Sequence, residues 1–408
     1  IVWSIIALRS LGATEDSPEV LECWRHLEGL VEREADGSVR IEPCRSPVWD
    51  TAITLKALAG VDCHVDGDAC RKRLERAVDW LMDREVRSRG DWASRVDADP
   101  SGWCFEYANR FYPDIDDTAM VLVGLAAFRD RYGTVCPRRL ARLEAAMQRA
   151  VGWLEAMQNR DGGWAAFDRD NTMKVLCRVP FADHNAMIDP SSPDLTGRVL
   201  EALGRCGLRL GHPSVDRGIR ALLQMQEADG SWFGRWGVNY VYGTWQCIEG
   251  MRSVGVPASD ASMRSAADWL ERHQQACGGW GESPESYSDR SWAGRGVPTP
   301  SQTSWALAGL VAAGRGRGES AARGANWLSA RQLMDGTWEE QEFTGTGFPK
   351  VFYLRYHYYR IYFPLLALSR WSAACDVDTG MSSDLGRDEL FLPVGSFRSV
   401  SHGPERAA

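Results

Sequence analysis

The sequence is poor in features that would place it in several large functional classes. None of its 7 histidines (His26, His64, His184, His212, His273, His357 and His402) shows His-x-x-x-His spacing, and none of its 11 cysteines forms a Cys-x-x-Cys pair. A dedicated zinc site is therefore not expected, and the odd cysteine count fits a reduced, cytosolic chain better than a disulfide framework. No apolar run approaches the roughly 20 residues that span a bilayer. No charged-then-apolar leader opens the chain. Positive charge is not in excess: a net charge of -8 argues against nucleic acid as a partner. Period-two strand patterns are scarce.

Tryptophan and glycine are what the chain has in quantity, 18 and 40 among 408 residues. Tryptophan is costly to scatter over a surface, so this number implies a structural repeat, an aromatic cavity, or both. The length suffices for two domains or one large barrel. The chain opens Ile1-Val2-Trp3-Ser4-Ile5-Ile6-Ala7-Leu8, inside an amphipathic helical pattern and without Met. It reads as a piece whose N-terminal part is missing.

A repeat is present. Segments 149–164, 217–232, 265–280 and 323–338 each carry an amphipathic helix, a glutamine near its end, a glycine-containing turn and then Trp164, Trp232, Trp280 or Trp338. The glutamines are Gln158, Gln226, Gln274 and Gln332. A weaker fifth copy runs from Arg76 to Trp92, with Glu85 in the glutamine's place. Glycine supplies a left-handed cap after the helix. The glutamine amide can satisfy orphan helix carbonyls or reach the next segment's backbone. Repeats of this kind stack helix pairs, a structural role. Between them, helical periodicity predicts helices at about 47–60, 115–131, 194–208, 240–254, 299–314 and 357–373. The alternation predicts an all-α fold, an α/α barrel with inner and outer rings. The polar stretch after Cys375 predicts a flexible tail.

The chemistry-bearing motif is Asp114-Ile115-Asp116-Asp117, between Pro113 and a long apolar helix. Such a position is a helix N-terminus, and a capping cluster is its plain reading. Three carboxylates within four residues also repel one another, so one is expected to hold a proton. Aromatic residues crowd 103–112, 232–242 and 348–359. Aromatic faces stabilise a passing cation by roughly 0.5–2 kcal/mol each. An acid among π-faces suits carbocation chemistry better than hydrolysis.

The Asp-x-Asp-Asp motif, the Gln…Gly-x-Trp repeats, Ser46-Pro47-Val48-Trp49-Asp50-Thr51-Ala52 and Gly345-Thr346-Gly347-Phe348-Pro349 together resemble the squalene–hopene cyclases among class II terpene cyclases. The resemblance runs from Ile1 to about residue 373. It implies two α/α barrels: residues 1–44 would end an inserted second barrel, 45–374 would form the catalytic one, and 375–408 a tail. It implies that Asp116 protonates a terminal alkene of squalene, with Asp114 and Asp117 flanking it. Tyr242 would hydrogen-bond toward the acid through water. Trp49, Phe105, Phe348, Phe352, Tyr356 and Tyr359 would line the cavity, with Trp236 in its upper wall. Val179-Pro180-Phe181-Ala182 would be the constriction where substrate enters.

Two positions depart from some members of that family. Arg198 stands where some have histidine; Arg is always cationic and can stabilise the aspartate left after proton donation. An exposed helix arginine is the competing reading. Phe167 stands where some have tyrosine, keeping the π-face and losing the hydroxyl. The resemblance further implies no cofactor, peripheral attachment to the cytoplasmic face of a bacterial membrane, and allows a homodimer. The product would be hopene, hopanol or another triterpene, and the 408-residue chain alone would be inactive.

Other readings stay open. A type II diterpene cyclase shares Asp-x-Asp-Asp but takes a prenyl diphosphate and needs a basic pocket by the motif. A prenyltransferase subunit needs a zinc set. An α/α-barrel glycosidase uses paired acids. A helical scaffold would have no turnover.

Overall fold

Helices begin where the sequence supplies a start signal. Pro18, Pro137, Pro193, Pro213 and Pro300 stand in the first turns of their helices, where a missing N–H costs nothing. Asp114, Asp260 and Thr299 cap theirs through the side chain. The computed structural model describes all residues except 34–35, 43, 62–66, 108, 110, 134–135, 174, 177–186 and 377–408. The predicted entry constriction at 179–182, with Phe181, and nearly all of the predicted tail lie outside the described residues.

The chain divides into two units. The first holds residues 1–47 together with Phe105–Tyr107. It contains α1 (Val2–Ser10), α2 (Pro18–Glu28) and the antiparallel pair β1 (Val31–Arg33) and β2 (Val39–Ile41), in register Val31 to Ile41. Val20 on α2 is fully buried, whereas Trp3 on α1 is 74% exposed.

The second unit, from Val48 on, holds α3 (Pro47–Ala59), α4 (Gly67–Met82), α5 (Ile115–Tyr132), α6 (Pro137–Ala156) and α7 (Pro193–Arg205). It continues with α8 (Pro213–Met225), α9 (Tyr240–Ser253), α10 (Ala261–Arg272), α11 (Pro300–Ala312) and α12 (Glu319–Ser329), then β3 (Gly345–Phe348), β4 (Phe352–Leu354) and α13 (Tyr359–Asp376). This is an α/α barrel. The odd-numbered helices from α3 form the inner ring: every residue of α11 is buried, and all of α7 but its last. The even-numbered helices form the outer ring and bury a stripe. On α6 that stripe is Leu143, Ala146, Met147, Ala150, Trp153 and Leu154, the spacing of a helix with one wet face.

The inner helices run parallel. α7 packs on α9 so closely that a Cβ at Gly250 would meet the Gly197 carbonyl oxygen at 2.0 Å. The ring closes between α3 and α13. Trp49 Nε1 donates to Tyr359 Oη (3.2 Å), Tyr362 Oη to Asp50 Oδ1 (3.3 Å), and Ser369 Oγ to Gly60 O (2.9 Å). All six N-termini therefore open on one end of the ring and all six C-termini on the other.

The repeats lock the two rings. Each tryptophan indole donates to a leucine carbonyl in the outer helix before it: Trp164 to Leu154, Trp232 to Leu222, Trp280 to Leu270 and Trp338 to Leu328, at 2.7–2.8 Å. The Trp164, Trp232 and Trp280 backbone N–H groups donate to Thr196, Thr244 and Thr303 hydroxyls in the following inner helix. Gln158, Gln226 and Gln274 amides each bridge their own turn to the start of the next outer helix, at Ser214, Ser262 and Ser320. Two expectations need correction. The left-handed glycines (Gly162, Gly230, Gly278, Gly336) lie in the turn itself rather than at the helix cap. In the fifth copy the tryptophan is Trp103, not Trp92. Trp103 donates to the Leu81 carbonyl (2.7 Å) and its N–H to Thr118 Oγ1 (2.9 Å). The turn is longer there, and Trp92 sits edge-on to Trp153 instead.

Candidate active site

The acidic motif sits at the N-terminal end of the inner ring. Asp114 is the N-cap of α5, and its Oδ1 accepts from the Asp117 N–H at 2.7 Å. Its own N–H donates to the Trp103 carbonyl, and that of Ile115 to the Ala166 carbonyl. The start of α5 is thus tied to the turns after two repeat tryptophans. The capping reading and the acid reading are compatible: capping uses Asp114 and aims Asp116 elsewhere.

Asp116 faces Arg198, which lies in the second turn of α7 and is 1% exposed. Arg198 Nε lies 2.9 Å from Asp116 Oδ1. Among the described residues neither atom makes a hydrogen bond, so the N–H is bent away and the contact is an ion pair. The same guanidinium donates to Tyr242 Oη and lies 4.6 Å from the centroid of the Trp49 ring. Four elements, α3, α5, α7 and α9, thus converge on one cation. The exposed-arginine reading is overturned by this burial.

Burial dominates the electrostatics. It raises Asp116 to about 6, although Arg198 pulls the other way; nearby Asp194 adds to the rise. Burial raises Asp114 to about 7, and it drives Asp117 well up, helped by Asp114 and Asp116. The motif is a set of carboxyls held near the protonated form, with a permanent cation against the middle one. Asp194, also buried, closes the site from α7: its Oδ2 accepts from the Arg235 and Trp236 N–H groups, both at 2.9 Å. That role was not read from the sequence.

The aromatic candidates fall into three groups. Trp49, Tyr242, Tyr356 and Tyr359 share one continuous cluster with Arg198. Tyr356 stacks on Tyr359 at 4.4 Å, and Tyr242 meets Trp305 at 4.9 Å. Trp245, Trp305 and Phe363 complete that cluster and were missed. They recur at ordinary helical core spacing, so nothing in the sequence set them apart. Phe167, 44% exposed, meets Trp236 edge-on at 6.2 Å. Phe348 and Phe352 meet at 5.6 Å on the β3–β4 hairpin. The hairpin joins the turn of Trp236 by a bridge between Gly345 and Gly237. Gly237 is required there, because a Cβ would lie 2.5 Å from the Tyr242 ring. Phe105 belongs to the first unit. A cavity of about 710 Å³ does occur, but at the opposite end of the ring rather than at Asp116. Among the described residues no group of three or more His, Cys, Asp or Glu side chains is placed to hold a metal ion.

Known proteins match this closed double ring of helices, which carries the Asp116–Arg198 pair at its N-terminal mouth. Residues 45–373 match the squalene-hopene cyclase C-terminal domain. The squalene–hopene cyclase of Zymomonas mobilis is 40% identical over 379 residues, 91% of this chain and 56% of that protein. That of Alicyclobacillus acidocaldarius is 41% identical over 376 residues, 92% of this chain and 58% of that protein. Among solved structures, a type II terpene cyclase from Scytonema shares the fold at 16% identity, with TM-score 0.52 over 85% of this chain and 92% of that one. The ent-copalyl diphosphate synthase from Streptomyces platensis does so at 21% identity, with TM-score 0.54 over 88% and 56%. The fold is thus that of the terpene cyclases. The chain belongs to the squalene–hopene cyclase family, and it spans a little over half the length of the curated relatives it matches.

Proposed function

We propose that this chain is the acid-bearing part of a protonation-initiated triterpene cyclase acting on squalene. The observation that carries the reading is the part-buried Asp116 carboxyl against the buried Arg198, within a shell of tryptophan and tyrosine rings. Asp116 gives its proton to the CH carbon of a terminal alkene, whose π electrons form the new C–H bond and leave a tertiary cation on the dimethyl carbon beside it. Successive alkenes attack that cation and close rings. A final proton loss, or capture of water, ends the sequence as hopene or hopanol.

An alkene is a very weak base, so both sides of the transfer need help. Burial and the nearby Asp194 favour the protonated form of Asp116 beforehand, against the pull of Arg198. Arg198 stabilises the carboxylate afterwards, and Tyr242 fixes Arg198 in place. Aromatic faces then support the travelling cation. In the same reading residues 1–44 end a second barrel, 45–374 form the catalytic one, and 375–408 are a tail. Squalene is drawn from a membrane, on whose cytoplasmic face the protein sits peripherally, as a monomer or a homodimer. No helix among the described residues is long and apolar enough to cross a membrane.

The test is conversion of squalene by protein containing this chain. Asp116→Asn should abolish turnover while leaving helicity intact; retained turnover would overturn the assignment.

A further inference from the structure

Glu340 is a buried carboxyl that no step of the proposed reaction uses. It lies two residues after the repeat tryptophan Trp338, between α12 and β3. Its Oε2 accepts from the Ser301 N–H and its Oε1 from the Ser301 hydroxyl, both at 2.8 Å. The first bond satisfies an orphan donor at the start of α11. Glu282, two residues after Trp280, does the same for α9, accepting from the Tyr240 and Val241 N–H groups. Glu340 does more than cap. α11 already has a side-chain cap in Thr299, and Glu340 Oε1 also accepts from the Thr344 hydroxyl at 3.3 Å, one residue before β3 begins.

These bonds belong to a closed circuit. The Thr344 carbonyl accepts from the Val238 N–H (2.9 Å), the Val238 carbonyl accepts from Gln302 Nε2 (3.0 Å), and Gln302 adjoins Ser301. All five residues are buried. Three pieces of aromatic wall meet at this circuit. Trp236 precedes Val238 by two residues, and its carbonyl accepts from the Thr346 N–H. Phe348 and Phe352 stand on the hairpin. Trp305 lies one turn beyond Ser301 on α11 and meets Tyr242. Apolar rings make no directional bonds of their own, so the buried polar circuit behind them sets their relative places.

We propose that Glu340 is a positioning residue that fixes the hairpin rings Phe348 and Phe352 against Trp236 and Trp305, and so decides how far a folded polyene cyclises. The proposal rests on the cyclase reading for its substrate but not for its geometry. A loosened wall stabilises late cations less well, and proton loss then competes with the next ring closure.

Three variants of protein containing this chain test it. Glu340→Ala opens the circuit. Glu340→Gln keeps it, because the Ser301 and Thr344 hydroxyls can turn and accept from the amide. Thr344→Val removes only the tie to the hairpin. The ratio of partly to fully cyclised product from squalene should rise about tenfold in Glu340→Ala, rise less in Thr344→Val, and return toward normal in Glu340→Gln. A general loss of folded protein would scale all products alike. Amide hydrogen exchange over 345–354 should quicken about tenfold in Glu340→Ala and stay unchanged over α5. If the unmodified protein leaves squalene untouched, the cyclase reading fails, and the exchange measurement decides the positioning role. If Glu340→Ala does not fold, Thr344→Val decides. An unmoved product ratio during squalene turnover, or unmoved exchange in the folded variants, overturns the proposal.

Discussion

The two ends of the inner ring bury charge in opposite ways. At the N-terminal end three carboxyls crowd one arginine, and burial pushes Asp116 and Asp114 up to about 6 and about 7. At the C-terminal end burial lowers Lys56 to about 7, while Lys56 and Arg370 outweigh burial and hold Glu201 down to about 2. The acid-rich end is short of cations, so its carboxyls are poised to keep protons. The base-rich end sets Lys56 against Glu201, and Lys56 and Arg370 against Glu249, so each buried acid there faces at least one basic group. Burial alone therefore does not make a reactive site; the local excess of one sign does. Helix polarity reinforces the arrangement, since N-termini favour carboxylates and C-termini favour cations.

The comparison breaks most readily at Arg198. Arg198→Met should lower squalene turnover by about 100-fold or more, the cost of one preorganised charge. The same change should move the pH profile. Turnover needs protonated Asp116, so in the unmodified protein it should fall as pH rises through about 6. Arg198 holds that value down, so its removal should shift the alkaline limb to higher pH even as the rate drops. A rate loss with an unmoved limb would mean that Arg198 acts only through packing.

A change at the other end should alter stability and spare chemistry. Glu249→Gln leaves Arg370 and Lys56 short of a partner in a buried network. The expected cost is about 3–5 kcal/mol, read from denaturant unfolding, with turnover per folded molecule preserved. A smaller effect belongs to the outer ring. Gln226→Ala removes the bonds to the Gly230 and Ser262 carbonyls. It should cost about 1–2 kcal/mol, read as a lower thermal midpoint.

Much of this architecture was legible beforehand, because its signals are local. The predicted inner helices fall within a few residues of α3, α5, α7, α9, α11 and α13. The glutamine and tryptophan of each repeat act within one turn and its neighbours, so spacing alone exposed them. The fifth tryptophan was misassigned because a longer turn separates Glu85 from Trp103, and Trp92 happened to fall nearer the expected distance. The ion-paired partner of Asp116 was harder. A lone arginine on an amphipathic helix looks solvent-exposed; only closure of the ring puts Arg198 under Trp49 and beside Tyr242. Trp245, Trp305 and Phe363 were invisible for the same reason, since core and cavity wall share one periodicity. Asp194 hid within its own motif, because its targets, the Arg235 and Trp236 N–H groups, lie some forty residues away.

The central claim is that Asp116 delivers the initiating proton. It is tested most directly by turning over squalene in D₂O with protein containing this chain and locating the label by mass spectrometry and NMR. The account predicts one deuterium on the ring methylene carbon next to the gem-dimethyl carbon, at the end where ring closure begins, and no product from Asp116→Asn. Product without that deuterium, or labelled product from the Asn variant, would contradict it.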